Sequence, residues 1–290
     1  WPNQKRSLWY PTHVEGTLRC ARKELLSRLL KLDARTAKSE LEKYSSPLWV
    51  GNRVHGISQR ACQAIANGDA PLSSLVPRLQ QATRDELNAH QPAISPSLLP
   101  VLESSLFLRF TALIERVQSG AIQRILGVEE TVPQRPRPGG MAARCDLIVE
   151  DDQGRRIMVD LKSGAAKTAA TLATEEATGK SLQRAAYLAG EPRADLAAMF
   201  YLGSGAKPFV AVDRDGLQQA WAAEALRRAQ QQLEHGAFPL KPGRVERECK
   251  GCEMRTACRP YDSEWRQQLQ QAAPEFEHSI KESVAAEEPS

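Results

Sequence analysis

Apolar residues recur at helical spacing through the first part of the chain and at strand spacing beyond it, so the pattern predicts a helical region followed by a mixed α/β core. Leu25, Leu26, Leu29, Leu30 and Leu32 fall on one side of a helix predicted over residues 18–44. A second helix is expected over about 52–66, stopped by Asn67-Gly68. Two more are expected over 73–89 and 97–125, separated by the Pro-containing stretch 91–100.

The texture then changes. Residues 128–133 read as a strand, and Pro133, Pro136, Pro138, Gly139 and Gly140 make a loop. Residues 142–150 and 156–162 read as two strands around the turn Asp151-Asp152-Gln153-Gly154. A helix over 181–189, strands over 196–202 and 208–212, and a long helix over 217–233 complete the core. A cysteine segment at 249–258 precedes a helix over 263–272, and the tail after Pro274 is expected to be disordered. The expected division is a helical region over 1–126, a core over 127–240, a cysteine segment with its helix over 241–274, and an acidic tail over 275–290.

Composition bounds this picture. The chain has 290 residues, 41% apolar and 26% charged, enough for a hydrophobic core in a globular protein. No run of eighteen apolar residues occurs, which excludes a conventional transmembrane helix. No signal-peptide pattern opens the chain, so a cytoplasmic location is expected. Trp1 in place of Met marks the expected product of processing, or a piece of a longer chain. The net charge is +4, and residues 275–290 hold five Glu against one Lys, so the rest is more basic than the whole. That balance is compatible with a polyanion partner or with an ordinary solvated surface. Six cysteines without a secretory signal point to metal or cluster ligation in preference to disulfides.

The two central strands carry the chemistry. Alternation puts Met158, Asp160 and Lys162 on one face and Ile157, Val159 and Leu161 on the other, while Asp146 shares a face with Arg144 and Ile148. An odd hairpin loop, such as the five residues 151–155, brings Asp146 opposite Asp160; an even loop separates them. Two converging carboxylates beside a lysine suit a hard divalent cation such as Mg²⁺ or Mn²⁺ and the hydrolysis of a phosphodiester. The alternative for an isolated Asp-x-Lys is a surface ion pair.

The segments Cys145-Asp146-Leu147-Ile148-Val149 and Val159-Asp160-Leu161-Lys162-Ser163-Gly164 resemble the core of the RecB-like PD-(D/E)XK nucleases. That family adds a Gln-x-x-x-Tyr helix downstream, matched by Gln183 and Tyr187, and a Gly-x-x-x-His helix upstream, matched by Gly51 and His55. The resemblance implies a restriction-endonuclease-like α/β fold, a mixed central sheet flanked by helices. It implies that His55, Asp146, Asp160 and the Leu161 carbonyl bind Mg²⁺ or Mn²⁺, that Lys162 activates the nucleophile, and that Gln183 and Tyr187 position the strand or the lysine. Arg144 and Arg184 are candidates for phosphate contacts or for plain surface roles, and Glu129 or Glu130 for an outer acid or a solvated carboxylate.

Cys249, Cys252 and Cys258, with the distant Cys20, resemble the iron–sulfur nucleases of the AddB type and the CRISPR-associated RecB-like exonucleases. In those, one early and three late cysteines hold a 4Fe–4S cluster; four thiolates also suit structural Zn²⁺, and the colour of the protein separates the two. Ala21 departs from the proline that usually follows the early cysteine. Cys62 and Cys145 read as core thiols. The resemblance implies a DNA nuclease, an exonuclease on single strands or ends, in repair, recombination or defence against phage, with a helicase or other subunit as partner. The alternatives are a non-catalytic scaffold of the same fold and a zinc-stapled protein of unrelated function.

Overall fold

Residues 143–150 and 156–162 form the antiparallel hairpin at the heart of a five-stranded sheet. The computed structural model describes residues 9–24, 46–90, 94, 96–133, 141–177, 181–203, 208–213, 224, 225 and 227–229. The strands are β1 (Arg124–Val132), β2 (Ala143–Glu150), β3 (Arg156–Lys162), β4 (Leu196–Tyr201) and β5 (Phe209–Asp213), neighbours in that order. The β3–β4 pair is parallel and the other pairs are antiparallel. A parallel pair needs a crossover, and α6 (Ala169–Ala177) and α7 (Gln183–Gly190) lie within it. The fold is thus the mixed α/β sheet flanked by helices that the family resemblance implied.

The central strands β2, β3 and β4 are buried on both faces, which explains their nearly continuous apolar runs. One face packs Leu147, Val159 and Leu161 against Val54 and Ile57 of α2 (Pro47–Ala66), Leu79 of α3 (Leu75–Asn88) and Phe110. The other packs Ile148, Met158 and Ala197 against Ala186, Tyr187 and Leu188 of α7. The hairpin loop is the five residues between the paired Glu150 and Arg156, tied by the Asp151 carboxylate to the Gln153 and Arg155 amides. That odd loop puts residues 146 and 160 on one face.

The helical region differs from expectation in its boundaries. Ser46 caps α2 by accepting from the Trp49 amide at 3.3 Å, so α2 begins at Pro47, ahead of the expected start near residue 52. The helix expected over 97–125 is two, α4 (Leu99–Leu108) and α5 (Thr111–Gln118). Gly120, at φ 78°, then turns the chain into β1, which begins at Arg124. The first helix, α1 (Pro11–Glu24), kinks at Cys20 (φ −158°, ψ 94°). The rest of the helix expected over 18–44, the cysteine segment, the helix over 263–272 and the acidic tail lie outside the described residues, as does most of the helix over 217–233.

The ends of β3 and β4 are locked together just beyond Lys162. The Leu202 amide donates to the Lys162 carbonyl at 2.7 Å, and a Cβ on Gly203 would overlap the Gly164 carbonyl. Gly203→Ala is expected to cost about 1–3 kcal/mol, since backbone has to move. Urea denaturation checks this, and an unchanged midpoint would show that the 163–164 loop gives way freely.

Candidate active site

At Asp146 the hairpin ladder opens. The paired residues of β2 and β3 run from Glu150–Arg156 to Leu147–Val159. Beyond them the Asp146 carboxylate enters, its Oδ2 accepting from the Leu161 amide at 2.6 Å. A buried amide released from a ladder needs such a partner. The Asp146 Oδ1 faces His55 Nδ1 of α2 at 2.8 Å. Burial alone would push the His55 imidazole down, yet its bond to Asp146 and the charges of Asp146, Asp160 and Glu129 leave it raised above its usual value.

Asp160 is 3% exposed and its partners are divided between its two oxygens. Oδ1 accepts from Gln183 Nε2 at 3.0 Å and from the Tyr187 hydroxyl at 2.9 Å. That hydroxyl also lies 2.9 Å from the Arg144 carbonyl, so one phenolic proton serves two acceptors. Oδ2 meets Lys162 Nζ at 2.6 Å as an ion pair but receives no well-directed hydrogen bond. Gln183 Oε1 takes a bond from the same Lys162 Nζ at 2.7 Å, so one amide side chain spans both charged groups. Desolvation, first, and then the nearby Asp146 raise the Asp160 carboxyl, against the opposing pull of Lys162. Tyr187 is buried and its phenol is pushed well above its usual value, first by desolvation, so it stays a neutral donor.

Glu129 is the residue that sequence reasoning undervalued. The β1–β2 register pairs Val128 with Leu147 and Glu130 with Cys145, which sets Glu129 opposite Asp146. Its φ is 54°, the left-handed region that a residue with a Cβ seldom adopts and that costs of order 1 kcal/mol or more. Its side chain is 12% exposed and ion-paired with Arg144, so it is no solvated carboxylate. Its carboxyl is raised, by desolvation first and then by Asp146. Ligand atoms of His55, Glu129 and Asp146 all lie within 4.8 Å of one another. The available signal was parity: β1 has to run antiparallel to β2 in a register that only the fold reveals.

These groups suit a hard divalent cation. One imidazole and two carboxylates converge, and a neighbouring buried carboxylate keeps an oxygen with no directed hydrogen bond. Burial, first, and then the charge of Asp146 raise the Glu129 and Asp160 carboxyls, a cost that a bound cation would offset.

Arg184 corrects an expectation. It is 3% exposed and donates through Nε and Nη2 to Glu176 at 2.7 and 3.0 Å, and through Nη1 to the Val210 carbonyl. A guanidinium so enclosed cannot meet phosphate. Arg144 is exposed beside Glu129. Cys62 and Cys145 are buried, the Cys62 thiol pushed up to about 12 by desolvation. Cys20 is half-buried at the kink of α1, its Sγ 3.5 Å from the Lys23 amide, while Cys249, Cys252 and Cys258 lie outside the described residues.

The model of the PD-(D/E)XK nuclease superfamily matches residues 9–259, and the protein belongs to that superfamily. It is also similar to the crystal structure of SSO0001, at 14% identity over 89% of this chain and 88% of that one, with a TM-score of 0.40. No curated protein matches the sequence. Membership suggests metal-dependent nuclease activity on DNA. No described helix is long and apolar enough to cross a membrane.

Proposed function

We propose that the protein is a Mg²⁺- or Mn²⁺-dependent deoxyribonuclease of the RecB-like branch, acting as an exonuclease on single-stranded DNA or DNA ends. The observation that carries this reading is the convergence of His55, Glu129 and Asp146 beside an Asp160–Lys162 pair held by Gln183. His55, Asp146, Asp160 and the Leu161 carbonyl would hold the cation, with Glu129 added as a further ligand. A bound cation supplies Lewis acidity, lowering the pKa of water and neutralising phosphate charge.

The chain's own residues do the rest. Lys162 presents a fixed ammonium to the attacking oxygen and to the charge that builds on the phosphate. Gln183 aims that ammonium, and Tyr187 holds Asp160 in place from its buried side. Basic surface residues would track the DNA backbone, so affinity should fall with salt. A helicase or another subunit would supply unwinding, in repair, recombination or phage defence.

Resemblance also supports a 4Fe–4S cluster on Cys20, Cys249, Cys252 and Cys258, with structural Zn²⁺ as the alternative. The division into residues 1–126, 127–240, 241–274 and 275–290 belongs to the same proposal.

The test is cleavage of end-labelled single- and double-stranded DNA with Mn²⁺ or Mg²⁺, wild type beside Asp146→Ala, on protein purified without oxygen. Wild type should cut, chelation should stop it, and the variant should be inert while still binding DNA. Cutting by Asp146→Ala at the wild-type rate would sink the assignment. Binding without cutting by both proteins would make the chain a scaffold.

A further inference from the structure

The first turn of α7 carries Gln183, yet its own sequence does not cap it. Leu182 occupies the N-cap position and offers no side-chain acceptor. The acceptor comes from α1: Glu15 Oε1 takes the Leu182 amide at 2.7 Å, across 167 residues of chain. Val14 of α1 and Leu182 are both fully buried in one apolar cluster with Trp9, so the contact is clamped by packing. One residue further on, Gln183 bridges Lys162 and Asp160. A carboxylate at a helix N-terminus is favoured by the helix dipole.

We propose that Glu15 is a positioning residue of the nuclease centre, seating the first turn of α7 so that Gln183 holds Lys162 and Asp160 in working geometry. The inference rests on the nuclease reading above. Glu15 touches neither substrate nor reacting atoms, and its influence passes through the Leu182 amide. The charged groups that act on it are Lys162 and Asp160 from β3 and Arg19 from α1. Burial, first, pushes its carboxyl up to about 7, against the Leu182 amide, Lys162 and Arg19.

Three variants and two readouts test this. Glu15→Ala removes the acceptor and should lower kcat on DNA by tenfold to about a hundredfold, the order expected for a displaced catalytic group, with KM unchanged. Glu15→Gln keeps an acceptor oxygen and should restore most of kcat. It also deletes a titration. Because the folded-state pKa is raised, the stability linked to this proton is full below pH 4.5 and lost as pH rises through about 7. The thermal midpoint of wild type relative to Glu15→Gln should therefore fall across that window.

Hydrogen exchange over residues 181–187 is the second readout. Protection there should drop in Glu15→Ala and hold in Glu15→Gln. Wild-type kcat in Glu15→Ala, or equal impairment of both variants with residues 181–187 still protected, overturns the proposal. If wild type itself fails to cut DNA, the nuclease reading falls. Exchange then decides Glu15 on its own: lost protection in Glu15→Ala supports the seat, and unchanged protection overturns it. If Glu15→Ala does not fold, Glu15→Asp, one methylene short of the amide, is read by the same criteria.

Discussion

Lys162→Ala is expected to slow cleavage by about 10²–10³-fold, the range for loss of one preorganised electrostatic contact to a transition state. Two losses combine. The ammonium that would face the attacking oxygen disappears, and Asp160 loses the cation that meets its Oδ2 at 2.6 Å. Asp160 is buried and its carboxyl is already raised by desolvation. Without Lys162 that carboxyl rises further, so on the proposed reading the variant would lose part of a metal ligand as well as its lysine. Lys162→Arg keeps charge but exchanges a compact ammonium for a wide planar fork, so its recovery should be incomplete. Single-turnover cleavage on saturating DNA reads the chemical step directly. A Lys162→Ala rate within tenfold of wild type would remove Lys162 from the mechanism and leave the acidic cluster to act alone.

Glu176→Ala is expected to destabilise the protein by about 3–5 kcal/mol, the cost of leaving a buried charge without its partner. Arg184 and Glu176 are 3% and 8% exposed at their side chains, and the guanidinium has little else to bind besides the Val210 carbonyl. The pair fastens α6 to α7, and α7 to β5. Replacing both residues together, as Arg184→Met with Glu176→Leu, removes the charge and its partner at once and should cost far less. Urea denaturation of the singles and the double closes the cycle. A Glu176→Ala loss below about 1 kcal/mol would mean that water reaches Arg184 on opening of α6, contrary to its burial.

Much of the centre could be read from spacing together with the family resemblance. Asp160 and Lys162 share a face because strands alternate, and Gln183 and Tyr187 share one because helices return every four residues. The five-residue loop 151–155 sets the hairpin register. What escaped depends on distance in the chain or on local exceptions. Glu129 enters the cluster through an inter-strand register and a left-handed backbone, neither of which its neighbours encode. The break between α4 and α5 hides in the mostly apolar stretch 106–114, which keeps helical spacing across Arg109 and Thr111, and α6 was missed because its Ala- and Thr-rich sequence buries little beyond Leu172 and Glu176. Arg184 looked like a phosphate contact because its partner, eight residues upstream, sits on that unpredicted helix.

The Asp146–His55 contact spans 91 residues, whereas the Asp146–Leu161 contact spans 15. Closing the larger loop costs more chain entropy, and its reward comes only once α2 has docked on the sheet. The motif letters of the hairpin can therefore come together in a chain that lacks the imidazole on one side and Gln183 and Tyr187 on the other. During synthesis Asp146, Asp160 and Lys162 emerge before Gln183 does, so the acids exist for a time with nothing to orient their lysine. On the proposed nuclease reading, competence to cut would thus be a property of the finished topology, which separates the birth of the motif from the birth of the activity.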